Sequence, residues 1–116
     1  MSKNYILQGK EPKQADDVLE WAQWMSTNDR AIVVTRYNNV TVSTVFLGID
    51  HAWMSEQPIL FETMVFGGKY DHFQDRYYTW DEAVKGHKAA CKMVRGNFMS
   101  RLFRSIINKL KKLWTK

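Results

Sequence analysis

Four side chains that could do acid–base chemistry or hold a metal lie in or beside apolar parts of this sequence. Asp50 and His51 adjoin each other at the end of a β-branched run, and Glu62 stands inside the apolar stretch "PILFETMVFGG". A buried ionised carboxylate needs a partner, or its pKa rises until the group is neutral. We therefore predict that Glu62 and His87 lie within hydrogen-bond or one-water distance of each other.

Two interpretations of these residues stay open. Asp50, His51, Glu62 and His87 could form a catalytic or metal-binding cluster, or Glu62 could accept hydrogen bonds that only orient the core. None of the established catalytic spacings is present in the sequence, and the residue types specify neither a metal nor a cofactor. Cys91 shares a helix face with His87, and we interpret it as a small buried residue.

The elements that would position this cluster begin with strands. "YILQGK" is typical of a short strand, and residues 15–27 have the spacing of a helix. Asn38-Asn39 separates two β-branched runs, which indicates a hairpin whose second strand continues to Asp50. The stretch around Glu62 predicts a third strand, and "DRYYTW" a fourth. Alternation places Glu62 on one face of its strand and Thr63 on the other.

Two helices are expected after these strands. Thr79 and Glu82 have the spacing of a capping box, which marks the start of a helix, and Gly96 is a typical helix stop. We therefore predict an α+β fold, in which an antiparallel meander of three or four strands is packed by an N-terminal helix and two C-terminal helices. The predicted division is a core of residues 1–96 and a basic amphipathic helix of residues 97–116.

The last helix has an apolar face with Arg and Lys opposite. It could pack on its own domain, form an interface with another protein or a second copy, or lie on an anionic membrane. Nucleic-acid binding is the weaker expectation, because no reader motif accompanies the basic residues. The residues predicted to carry the interaction are Arg101, Leu102, Phe103, Ile106, Ile107, Lys109, Leu110 and Trp114.

Composition indicates one globular domain. The 116 residues are 45% hydrophobic and 14% aromatic, which is not the composition of a disordered chain. The net charge of +5 comes from residues 96–116, which hold six Lys or Arg and no acid. A lone cysteine favours a reducing compartment, and no signal peptide or spanning segment is recognisable. The expected location is therefore the cytoplasm, and peripheral contact with the membrane is the alternative.

Three motifs carry a resemblance to known proteins: "STVFLGIDH" (43–51), "PILFETMVFGG" (58–68) and "RYYTWDEAVKGH" (76–87). With them, the chain resembles a family of small uncharacterised proteins of bacteriophages and prophages. The resemblance covers about residues 5–95, and the terminal helix lies outside it. It implies a phage accessory protein acting in a host bacterium, and it implies no catalytic role for any residue.

The leading functional expectation is a non-enzymatic protein that binds a host component, such as a defence or regulatory factor. A small enzyme or nucleotide-binding protein that uses the Asp50, His51, Glu62 and His87 cluster is the first alternative. A peripheral membrane protein tethered by its terminal helix is the second. An open pocket lined by the four residues would favour the enzyme.

Overall fold

The computed structural model describes residues 3–52 and 56–114 and has an α+β architecture, which confirms the predicted fold class. Within these described residues, six strands form one two-stranded and one four-stranded antiparallel sheet. The elements are β1 (Tyr5–Gln8), β2 (Glu11–Gln14), α1 (Val18–Thr27), β3 (Ala31–Tyr37), β4 (Val40–Phe46), β5 (Phe61–Phe66), β6 (Gln74–Tyr77) and α2 (Trp80–Trp114).

The four-stranded sheet is the predicted meander, in the order β3-β4-β5-β6. Its first turn is the two-residue connection Asn38-Asn39, in which Asn38 adopts a φ of 53°. Asn tolerates this left-handed conformation, so the turn chemistry sets the register of β3 on β4. Strand β4 ends at Phe46 and not at Asp50, where the hairpin's second strand was predicted to end.

Among the described residues, α2 covers one face of this sheet, whereas the opposite face, which we call the open face, carries exposed side chains such as Val34 and Phe66. The covered face carries alternate residues of the two central strands, paired across the sheet and fully buried, and α2 packs over it. The helix contributes Ala83, His87, Ala90 and Val94 to the same core. The paired core residues of the sheet are Val42, Thr44, Phe46, Phe61, Thr63 and Val65.

The short β1–β2 hairpin and α1 lie near the Phe46 end of the sheet. Tyr5 and Leu7 pack on the core cluster that contains Phe46, and Trp24 meets the Phe46 ring edge-on at 5.5 Å. Strand β2 was not predicted, because it contains Pro12, which lacks the N–H of a central strand. Helix α1 begins at Val18, later than predicted, because the Asp17 carboxylate caps the Glu20 N–H at 2.8 Å.

A single helix replaces the two that were predicted after the sheet. Helix α2 begins at the expected capping box, where Thr79 Oγ1 accepts a hydrogen bond from the Glu82 N–H at 3.1 Å. It then continues through Gly96 to Trp114 without a stop. At 35 residues it is about 52 Å long, so its second half extends beyond the sheet. The boundary predicted between residues 96 and 97 therefore falls inside one helix.

Among the described residues, no helix combines the length and the apolar character that crossing a membrane requires.

Candidate functional site

Asp50 and His51 lie at the beginning of the loop between β4 and β5. Asp50 Oδ1 accepts hydrogen bonds from the backbone N–H of Ala52 at 2.7 Å and of Ile59 at 3.0 Å. This carboxylate therefore holds the two ends of the loop together. The His51 side chain is exposed, and its backbone N–H donates to the Ile59 carbonyl at 3.0 Å.

Glu62 lies on the open face of the sheet, although only 8% of the residue is exposed. Its neighbour Thr63 faces α2, and successive side chains of a strand point to opposite faces. Directly across from Glu62 on β6 is Arg76, whose Nε donates to Glu62 Oε2 at 2.9 Å. Gln74 Nε2 donates to the same oxygen. The carboxylate is thus covered and paired by its cross-strand neighbours.

His87 is buried under α2 in a network of hydroxyl groups. Its Nδ1 lies 2.7 Å from Thr44 Oγ1, and its Nε2 lies 2.9 Å from Thr35 Oγ1. Thr44 Oγ1 in turn lies 2.5 Å from Thr63 Oγ1. Burial lowers the pKa of His87, because the charged imidazolium is poorly solvated there. Hydroxyl groups can donate or accept, so the neutral ring has a partner at each nitrogen.

The structure therefore does not assemble the predicted cluster. Glu62 and His87 lie on opposite faces of the sheet, so the prediction that they lie within hydrogen-bond or one-water distance is wrong. Asp50 braces a loop and His51 is exposed beside it. No group of three or more metal-ligating side chains occurs in the part of the chain that the structure describes.

Tyr77 and Gly86 form a contact that the sequence did not indicate. The Tyr77 phenol is buried against the helix at Gly86, where an added Cβ would overlap the phenol ring and its oxygen. Burial is the main cause that raises the pKa of Tyr77. Thr63 and Asp75 are close enough to influence that pKa, yet the phenol oxygen has no hydrogen-bond partner among the described residues. A glycine within a predicted helix is the kind of signal that could have marked this close contact, although it does not identify the partner.

The second half of α2 exposes a large apolar surface, which we call the apolar face. Its side chains are between 44% and 87% exposed, while Ile107 is half-buried. Soluble monomers seldom leave a contiguous patch of this kind uncovered. The apolar face consists of Leu102, Phe103, Ile106, Leu110, Leu113 and Trp114. Of the residues predicted to interact, Arg101 and Lys109 lie outside this apolar set and are also exposed.

The apolar face does not point toward the protein's own sheet. The side of α2 that packs on the sheet, marked by His87, Ala90 and Val94, continues along the helix at three- and four-residue steps. Those steps lead to Arg101 and Ser105, both exposed polar residues. The interpretation that the last helix packs its apolar face on its own domain is therefore wrong.

A cleft of about 460 Å³ opens where α2 leaves the sheet. The β3–β4 turn and the Gly67-Gly68 turn line it together with Lys69, Arg101 and Leu102. Gly67 has a φ of 93°, and a Cβ there would meet the Asn39 carbonyl oxygen at 2.5 Å, so the two turns need this glycine to approach each other. None of the four predicted catalytic residues lines the cleft.

Comparisons with protein-family models, with curated proteins and with solved structures find no match to this chain. Its function is therefore inferred from its own residues and their arrangement.

Proposed function

We propose that this chain is a bacteriophage accessory protein that binds a component of the host cell through the second half of α2, without catalysing a reaction. The single observation that carries the proposal is the exposed apolar face. Leaving large side chains such as Phe103, 65% exposed, in water costs roughly 1.5–3 kcal/mol each relative to burying them. A surface with several such residues gains stability when a partner covers it.

The environments of Glu62 and His87, on which the predicted catalytic cluster depended, support the non-enzymatic part of the proposal. The carboxylate of Glu62 is paired with Arg76, and the His87 ring is enclosed by threonine hydroxyls. Neither Glu62 nor His87 lines the cleft. The phage origin is supported by the motif resemblance across residues 5–95.

Site-specific photo-crosslinking in host cells tests this proposal. A photoreactive amino acid would replace Phe103, on the apolar face, in the full chain. The matched control would carry the same group at Ser105, which is two residues away on the polar side and also exposed. We expect adducts to a host protein or lipid from position 103, at several times the yield from position 105. No adducts from position 103, or equal yields from the two positions, would contradict the proposal.

A further inference from the structure

A row of cations on the first half of α2 lies in line with the apolar face. The four residues follow one another at steps of three or four, so they share one side of the helix. All four are exposed, and within the described residues none of them pairs with an acid. We call this row the basic ridge; it consists of Lys85, Lys88, Lys92 and Arg95.

The basic ridge and the apolar face lie on the same side of α2, and we call the two together the strip. From Arg95, two helical turns lead to Leu102, and further steps of three or four residues lead to the end of the helix. Between Lys85 and Trp114 the strip is about 44 Å long. An acidic residue, Asp81, lies on the same side of the helix, one turn before Lys85. The strip is thus cationic in its first half and apolar in its second.

Apart from Leu102, which lines the cleft beside the β3–β4 turn, this strip points away from the rest of the molecule. The buried residues Ala83, His87, Ala90 and Val94 mark the direction of the sheet, and at 100° per residue the strip lies about 150° around the helix from them. A flat surface can therefore contact the whole strip without meeting the sheet. The core would remain on the far side of the helix.

We infer that α2 lies flat on a membrane surface with anionic headgroups. In that position the apolar face enters the boundary between headgroups and acyl chains, and the basic ridge stays above the anionic headgroups. This inference rests on the proposed function and names the host component as the anionic face of a bilayer. The basic ridge supplies attraction at a distance, and the apolar face supplies the insertion.

The charge pattern favours this surface over a second copy of the chain. A partner helix of the same sequence laid along the strip would place the basic ridge against the partner's own ridge or against its apolar face, and neither contains an acid that could pair with it. Like charges held close together weaken an association. A bilayer that contains anionic lipid offers negative charge along the entire strip.

Vesicle co-sedimentation of the full chain tests the inference. We expect the chain to pellet with vesicles that contain about one-third phosphatidylglycerol and to stay in solution with pure phosphatidylcholine, because attraction by a polybasic surface needs anionic lipid. Raising the salt concentration is expected to release part of the bound chain, since salt screens the attraction of exposed charges.

Two pairs of matched variants assign the binding to the strip. Phe103→Asn is expected to lower the partition coefficient about tenfold or more, whereas Ser105→Asn changes it little. Lys88→Glu is expected to lower it about fivefold or more, whereas Arg36→Glu, the same charge change on the open face of the sheet, has a smaller effect. Urea unfolding of each variant shows whether the core is intact.

The outcomes separate this inference from the proposed function. Equal pelleting with neutral and anionic vesicles, or wild-type pelleting by both Phe103→Asn and Lys88→Glu, would overturn the inference. Absence of vesicle binding together with host-protein adducts from position 103 would also overturn it, while the proposed function would stand. A dimer that Phe103→Asn dissociates, without vesicle binding, would assign the face to a second copy and overturn the inference.

Discussion

At the scale of single residues, His87 couples the stability of the core to pH. Its ring bridges Thr44 on β4 and Thr35 on β3, and burial lowers its pKa. The unfolded chain has a histidine of ordinary pKa, about 6.5. Below that pH the unfolded state takes up a proton that the folded state resists, so the free energy of unfolding must fall.

The first prediction at this scale concerns that pH window. The stability that the neutral His87 ring contributes is fully present at pH values above the pKa of this histidine in the unfolded chain. It is lost as the pH falls from there toward the lower pKa of His87 in the folded chain. We expect the difference in unfolding free energy between pH 7.5 and pH 5.5 to shrink in His87→Gln. Urea titrations at both pH values measure it. The variant should also lose about 1–3 kcal/mol at pH 7.5, because the buried Thr44 hydroxyl and the half-buried Thr35 hydroxyl lose their ring nitrogens.

The control for this prediction is His51→Gln, which removes an exposed imidazole from the loop after β4. It should leave the free energy of unfolding at pH 7.5 close to that of the natural chain, because an exposed side chain away from the core contributes little to stability. An unchanged pH dependence in His87→Gln would show that the proton uptake belongs to other groups.

The position of Glu62 shows what could and could not be predicted for a single residue from the sequence. Alternation correctly placed Glu62 and Thr63 on opposite faces of β5, since the period of a strand is two. Both faces of that strand are rich in apolar residues, so the sequence did not show which one α2 covers. The cross-strand partner Arg76 depends on the register of β6, which is set by the turn at residues 67–73. A pattern within one strand carries no information about that register.

At the scale of elements, the two glycines of α2 have opposite environments. Gly86 is pressed against the Tyr77 ring, whereas a Cβ on Gly96 would meet nothing within 4 Å. Gly96 lies inside a continuous helix and does not adopt a left-handed conformation. The same substitution at the two positions should therefore change stability in opposite directions.

We expect Gly86→Ala to destabilise the protein by about 1–3 kcal/mol, because the added methyl group overpacks the contact with Tyr77. Gly96→Ala should stabilise α2 by up to about 1 kcal/mol, since alanine is the better helix former. Urea unfolding followed by far-ultraviolet circular dichroism measures both changes. A destabilising Gly96→Ala would mean that the helix ends at Gly96 with a left-handed residue.

Most elements could be predicted from local signals. The Asn38-Asn39 turn and the Thr79–Glu82 capping box are such signals, because each satisfies backbone geometry within a few residues. The end of α2 could not be predicted in this way. A glycine both stops helices and occurs inside them at a modest cost, and the surrounding turns decide between the two. Strand β2 was missed for a related reason: Pro12 is excluded from central strands but tolerated in a two-stranded ribbon.

At the scale of the whole molecule, the protein is elongated. Its radius of gyration is 19.4 Å, and it extends over 73 × 30 × 20 Å. A compact domain of this length has a radius of gyration of about 13 Å. The difference arises because the second half of α2 extends beyond the sheet. This shape leaves the strip accessible along the outer side of the helix.

The last prediction tests this shape in solution. Small-angle X-ray scattering of the full chain should give a radius of gyration near the 19.4 Å of the structure, and a chain that ends at Gly96 should approach the compact value, about 12–13 Å. The shortened chain should lose less than about 1 kcal/mol of stability, because surface residues outside the core contribute little to it. A full-length radius near 13 Å would mean that the second half of α2 folds back over the core. In that arrangement the apolar face would be covered by its own domain, and neither a host component nor a membrane would be needed to explain it.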